Sequence, residues 1–181
     1  MKINKEEMLA ALLNNSAAGI TEHTIESFSV PQLIEWSEQT ADYRLAFRSA
    51  WYVEHFFLKK TAFFADYASE IIRIYCNTSN WSVLRSYSKL VMWMLSKQND
   101  KITINEDQEE CILEKSFNIL DASDCPVAVQ VNVMDILADL NKKHDWIANE
   151  LRLRIELALE KDATPALKSR GNRILKRISN A

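Results

Sequence analysis

Apolar residues recur every three to four positions along most of this chain, the period of a helix with one buried face. Ala46, Ala50, Val53 and Phe57 form one such stripe. Leu84, Ser88, Val91 and Leu95 form a second, and Val129, Val133, Ile136 and Leu140 a third. Helix start signals stand between the stripes. Pro31 follows Ser29-Val30 in a first turn, where its missing N–H is not needed. Thr61 is placed to cap the next stretch, Ser79 or Asn80 the one after, and Asn105 one with Glu106, Asp107, Glu109 and Glu110 at its positive end. Asp124 with Pro126, and Thr164 with Pro165, open two more. The run V-A-V-Q-V-N-V-M from Val127 alternates with period two, as a strand would, but its Asp-x-Pro start and the stripe reaching Leu140 predict a helix. About eight or nine helices follow, in antiparallel pairs joined by short polar turns, with residues 1–181 forming one domain.

The helices also repeat. Arg44 and Arg48 are echoed by Arg85 and Lys89 after 41 residues. Overlaying further copies aligns Arg44, Arg85, Gln130 and Lys168 at spacings of 41, 45 and 38, with apolar Ala50, Val91, Ile136 and Ile174 six positions on. A period of this size in helical sequence marks stacked helix pairs. Three positions after the polar residue come Phe47, Ser88, Val133 and Gly171. Glycine costs a helix about 1 kcal/mol relative to alanine, and close approach of a neighbouring helix accounts for its presence.

Composition acts mainly by exclusion. The chain has 181 residues, 48% hydrophobic and 26% charged, with only two glycines, Gly19 and Gly171. Phosphate-binding loops, dinucleotide fingerprints, nucleophile elbows and tight hairpins all require glycine. Three cysteines (Cys76, Cys111 and Cys125) without C-x-x-C spacing predict reduced, packed thiols rather than a disulfide framework or zinc knuckle. His23, His55 and His144 are dispersed, and no metal or cofactor is expected. The first residues lack a signal-like apolar core, and the longest apolar run, Leu90 to Leu95, is too short for a bilayer, which predicts a cytoplasmic protein. Net charge is −3, yet residues 161–181 carry six Lys/Arg against Asp162, leaving an acidic body and a basic last helix. That helix either caps the stack or meets an acidic partner or nucleic acid.

Asp124-Cys125-Pro126 followed by Val129-Gln130 resembles the HEAT-like family of α-solenoids, which places an acid in the inter-helix turn, then proline, then Val-Arg. Asp162, Pro165 and Leu167-Lys168 are similar, and Asn80 with Leu84-Arg85 more loosely so. The resemblance implies an all-α, right-handed superhelix of antiparallel helix pairs, serving as a non-enzymatic scaffold or adaptor for a protein or acidic peptide. Arg44, Arg48, Arg85 and Lys89, with Trp51 and Trp81 beside them, are the candidate binding residues if they share the concave face. Two uses remain open for them. They line a groove, or the cations satisfy turn acids and carbonyls while the tryptophans fill ridges, as Trp93 within L-V-M-W-M-L is expected to do. Asn80-Trp81-Ser82-Val83-Leu84-Arg85 is also similar to the Trp-x-x-x-Asp segment of bacterial DNA alkylation-repair glycosylases. Trp81 takes the base-stacking place, but Arg85 stands where the carboxylate belongs. Arginine repels the sugar cation that glycosyl cleavage leaves, so no catalytic residue is expected. Contact with a DNA backbone through the same face is the alternative function.

Overall fold

The computed structural model describes residues 5–14, 21–99, 101–161 and 163–179. Asp162, read above as a turn acid, lies outside them, as does Gly19. The described residues form ten α-helices: α1 (Lys5–Asn14), α2 (Glu22–Ser27), α3 (Val30–Ser37), α4 (Tyr43–Lys59), α5 (Ala68–Asn77), α6 (Trp81–Leu95), α7 (Glu106–Asp121), α8 (Val127–Leu140), α9 (Trp146–Glu160) and α10 (Pro165–Ser179). No strand occurs among them. Nine of the helices span eight residues or more, in line with the eight or nine expected, and the six-residue α2 is the additional one.

Most predicted starts hold. Ser29 accepts from Gln32 N, with Pro31 in the first turn of α3. Asn80 accepts from Ser82 N at 2.9 Å. Asn105 and Gln108 form a reciprocal capping box on α7, and Thr164 accepts from Leu167 N at 3.3 Å. Thr61 does not cap. Thr61–Tyr67 winds as a 3-10 helix whose bond from Ala68 N to Ala65 O leads straight into α5, so no side-chain cap is required there. The alternating run is helical within α8, where Asn132 through Ala138 are all buried. A helix enclosed on nearly every side has no polar face to set a helical rhythm, and the pattern therefore mimicked a strand.

By contacts the chain divides into two compact units, Met1–Leu90 and Val91–Ala181. In unit 1, α3 and α1 pack on α4, and the 3-10 stretch joins α4 to α5. Phe28 stacks on Tyr52 at 5.2 Å between ring centres, and Phe56 meets both edge-on. In unit 2, α8 packs against α7, α9 and α10. Two of the three predicted stripes, Ala46, Ala50, Val53 and Phe57 in one unit and Val129, Val133, Ile136 and Leu140 in the other, are wholly buried. Of the remaining one, Leu84, Ser88 and Val91 are buried while Leu95 is half-buried. Trp93 is only half-buried. A Cβ added at Gly171 would stand 3.1 Å from Ile155 Cγ2 and 3.5 Å from Leu159 Cδ2, so α9 and α10 do meet at this position. Among the described residues Cys125 alone is a free thiol, which corrects the expectation of three reduced ones.

Candidate functional site

All six candidate residues lie in unit 1, on α4 and α6. Arg44, Arg48, Trp51 and His55 are spaced four, three and four apart on α4, which places them on one face. Asp42 starts that helix by accepting from Leu45 N at 2.9 Å. Arg48 is held down. Its Nε donates to the Leu12 carbonyl of α1 at 2.5 Å, and its guanidinium carbon lies 4.9 Å from the centre of the Trp51 ring and 5.8 Å from that of Tyr52. Trp51 is half-buried, with the His55 ring 4.1 Å from its own.

Trp81, Arg85 and Lys89 follow at intervals of four along α6 and likewise share a face. Trp81 is half-buried. Lys89 Nζ donates at 2.6 Å to Glu54, a buried carboxylate of α4, so its charge serves the joint between the two helices. Arg44 and Arg85 differ from these. Both are exposed, and neither side chain makes a hydrogen bond or ion pair among the described residues. The helices begin 38 residues apart, at Tyr43 and Trp81, rather than 41. Arg44 thus sits one residue into α4 and Arg85 four residues into α6, about one turn further along.

The stronger register is of opposite charges. Arg73 holds Glu38 through two 2.8 Å bonds, and this bidentate contact with the acid raises the already high pKa of the guanidinium. Glu54 meets Lys89, Glu109 meets Lys143 and His144, Asp121 meets Arg154, and Asp135 meets Arg170 and Arg173. Each base comes 33 to 38 residues after its acid. An overlay of acids on the bases one repeat later would have found them, whereas aligning bases with bases did not.

The three arginines of the basic last helix are paired in this way, whereas its two lysines are not part of the cluster. Arg170, Arg173 and Arg177 gather around buried Asp135, and Arg177 also bonds Asp139 at 2.5 Å. Lys168, the fourth step of the aligned series, is exposed, and Gln130, the third, is half-buried. Among the described residues, no group of three or more His, Cys, Asp and Glu is placed to hold a metal ion, and no helix is long and apolar enough to cross a membrane.

Glu109 is the buried acid that sequence reading passed over as part of a helix start. Burial by itself would raise its pKa, but hydrogen bonds from Lys143 and from His144 Nε2, the latter at 2.8 Å, outweigh that and hold it below the usual glutamate range. A group with a depressed folded pKa contributes stability above its unfolded value, about 4.3, and loses it as pH falls through the folded one. Glu109→Gln should therefore be less stable than wild type by about 1–2 kcal/mol at neutral pH. The gap should close as pH drops below about 4. Urea midpoints at several pH values check this, and a gap independent of pH would refute it.

Helix pairs whose second members start at Tyr43, Trp81, Val127 and Pro165, 38 to 46 residues apart, with a buried, repeating stripe define an all-α helical repeat. The HEAT repeat domain family matches residues 9–178, and the chain belongs to that family. No curated protein and no solved structure matches it.

Proposed function

We propose that the chain is a single repeat domain acting as a non-enzymatic interaction module, in which the α4–α6 face of unit 1 takes an acidic segment of a partner protein. The observation that supports this reading is the pair of arginines, Arg44 and Arg85, left exposed and unengaged on neighbouring helices while Arg48 and Lys89 are tied internally. An arginine fork suits carboxylates, which it grips through two parallel bonds. Trp51 and Trp81, half-buried on the same helix faces, add apolar area beside the cations. Arg48 and Lys89 act as supports for that face. HEAT repeats commonly mediate protein interactions and are generally non-enzymatic.

The competing use, contact with a DNA backbone in the manner of the alkylation-repair branch, would draw on the same arginines. The net charge of −3 opposes it, since a nucleic-acid footprint is a broad basic surface. Both uses meet in one experiment. A fluorescent poly-glutamate peptide should bind the wild-type chain, and Arg44→Glu/Arg85→Glu should weaken it about tenfold or more. Failure of the peptide to bind, or equal binding by the double variant, would sink the proposal. Duplex DNA bound at low salt and lost in the same variant would assign the face to nucleic acid instead.

A further inference from the structure

Unit 2 carries a surface of the opposite character. The large exposed apolar residues of the described chain include Trp146, Leu153 and Leu157 of α9, which are 50%, 62% and 54% exposed. They are spaced seven and four apart, so they form one ridge about 16 Å long on a single face of the helix. At the Trp146 end lies a groove of about 590 Å³, with Ile104 and Leu113 among its apolar walls and Glu106, Glu109 and Glu110 among its acids. A Trp left half in water beside such a groove is the kind of aromatic anchor that dominates protein interfaces.

The charges say what covers it. Glu109 is neutralised by Lys143 and His144. Glu106 and Glu110, one turn apart on α7, are exposed and make no ion pair among the described residues. The surface is therefore apolar with uncompensated negative charge at its edge. The chain itself displays the matching chemistry nearby. Arg154 lies 4.8 Å over the ring of Phe117, bonds both Asp121 and Glu150, and Phe117 in turn stacks on Trp146 at 5.7 Å. One cation–aromatic–acid arrangement is complete, and Trp146 with Glu106 and Glu110 offers the same arrangement without its cation.

We propose that this surface docks a basic amphipathic helix of a partner protein, its apolar stripe on the α9 ridge and a Lys or Arg between Trp146 and the two glutamates. A second copy of this chain is disfavoured as occupant, because a two-fold contact would set identical acidic edges against one another. The site is separate from the α4–α6 face, and together they make the chain an adaptor with two docking faces of opposite charge.

The probe is a fluorescein-labelled 14-residue Leu/Lys amphipathic helix, with its Leu/Glu counterpart as control, titrated into the intact chain. The Leu/Lys peptide should bind, more weakly as salt rises, and the Leu/Glu peptide should not. Trp146→Ser and Glu106→Lys/Glu110→Lys should each reduce affinity about tenfold or more. Arg44→Glu/Arg85→Glu and the charge-matched Glu6→Lys/Glu70→Lys should leave it within about twofold. These last variants separate failure of this site from failure of the unit 1 reading. No binding, equal binding of both peptides, or equal loss in Glu6→Lys/Glu70→Lys would overturn the proposal. So would a dimer in sedimentation that Trp146→Ser abolishes, since a second copy would then be the occupant.

Discussion

Replacing Asp135 with alanine is expected to destabilise unit 2 by about 3 kcal/mol, the low end of what loss of one member of a buried ion pair costs. Asp135 is a helix-interior aspartate only 5% exposed, and it is the shared partner of arginines from three successive turns of α10. Without it, Arg170 is left most exposed to the penalty. Burial, and then repulsion from Arg173, lower its pKa, and Asp135 is the acid that pairs with it. The effect should be strongly asymmetric. Arg173 is 62% exposed on its side chain, and Asp135 keeps Arg170 when Arg173 is gone, so Arg173→Ala should cost less than about 1 kcal/mol. Denaturant unfolding of both variants tests the ordering. Equal losses would mean that the cluster is an ordinary surface network.

The second large effect is expected at Gly171, where leucine should destabilise by about 3 kcal/mol, the upper end for overpacking. The space where its Cβ must sit is already within 3.1 Å of Ile155 and 3.5 Å of Leu159, both on the facing helix α9. The remaining three carbons have nowhere to go without moving α10 away from α9. Gly171→Ala is a different experiment. It gains about 1 kcal/mol of helix propensity and gives back a comparable amount in crowding Ile155, so it should lie within about 1 kcal/mol of wild type. A leucine variant as stable as the alanine variant would show that α10 shifts freely.

These two positions show different degrees of legibility. Gly171 stood out in the sequence because a glycine inside a helical pattern demands a reason, and close approach was the available one. Asp135 did not stand out. An aspartate within D-I-L-A-D-L looks like the polar face of an ordinary helix, and only its burial on α8 beside three arginines from α10 reveals its role. The candidate face behaved similarly. That Arg48 and Trp51, or Trp81 and Arg85, share a helix face follows from spacing alone. That Arg48 would reach back to the Leu12 carbonyl, or that Lys89 would be taken by Glu54, depends on which helix lies alongside. Trp146 was invisible for the same reason: an aromatic at a helix start is unremarkable until its neighbours leave half of it in water.

Taken by itself, the sequence determined the helices, most of their caps, the buried stripes and the repeat family, because these depend on local spacing of apolar residues and on residues within one turn of each helix end. The tertiary structure decided which charges are used up. Arg44 and Arg85 stay available while Arg48 and Lys89 do not, and the arginines of α10 are taken up by Asp135 and Asp139 while Glu106 and Glu110 remain open. Partners 33 to 38 residues apart meet only when helices stack. A charge's availability is a property of that stacking rather than of its own stretch of chain.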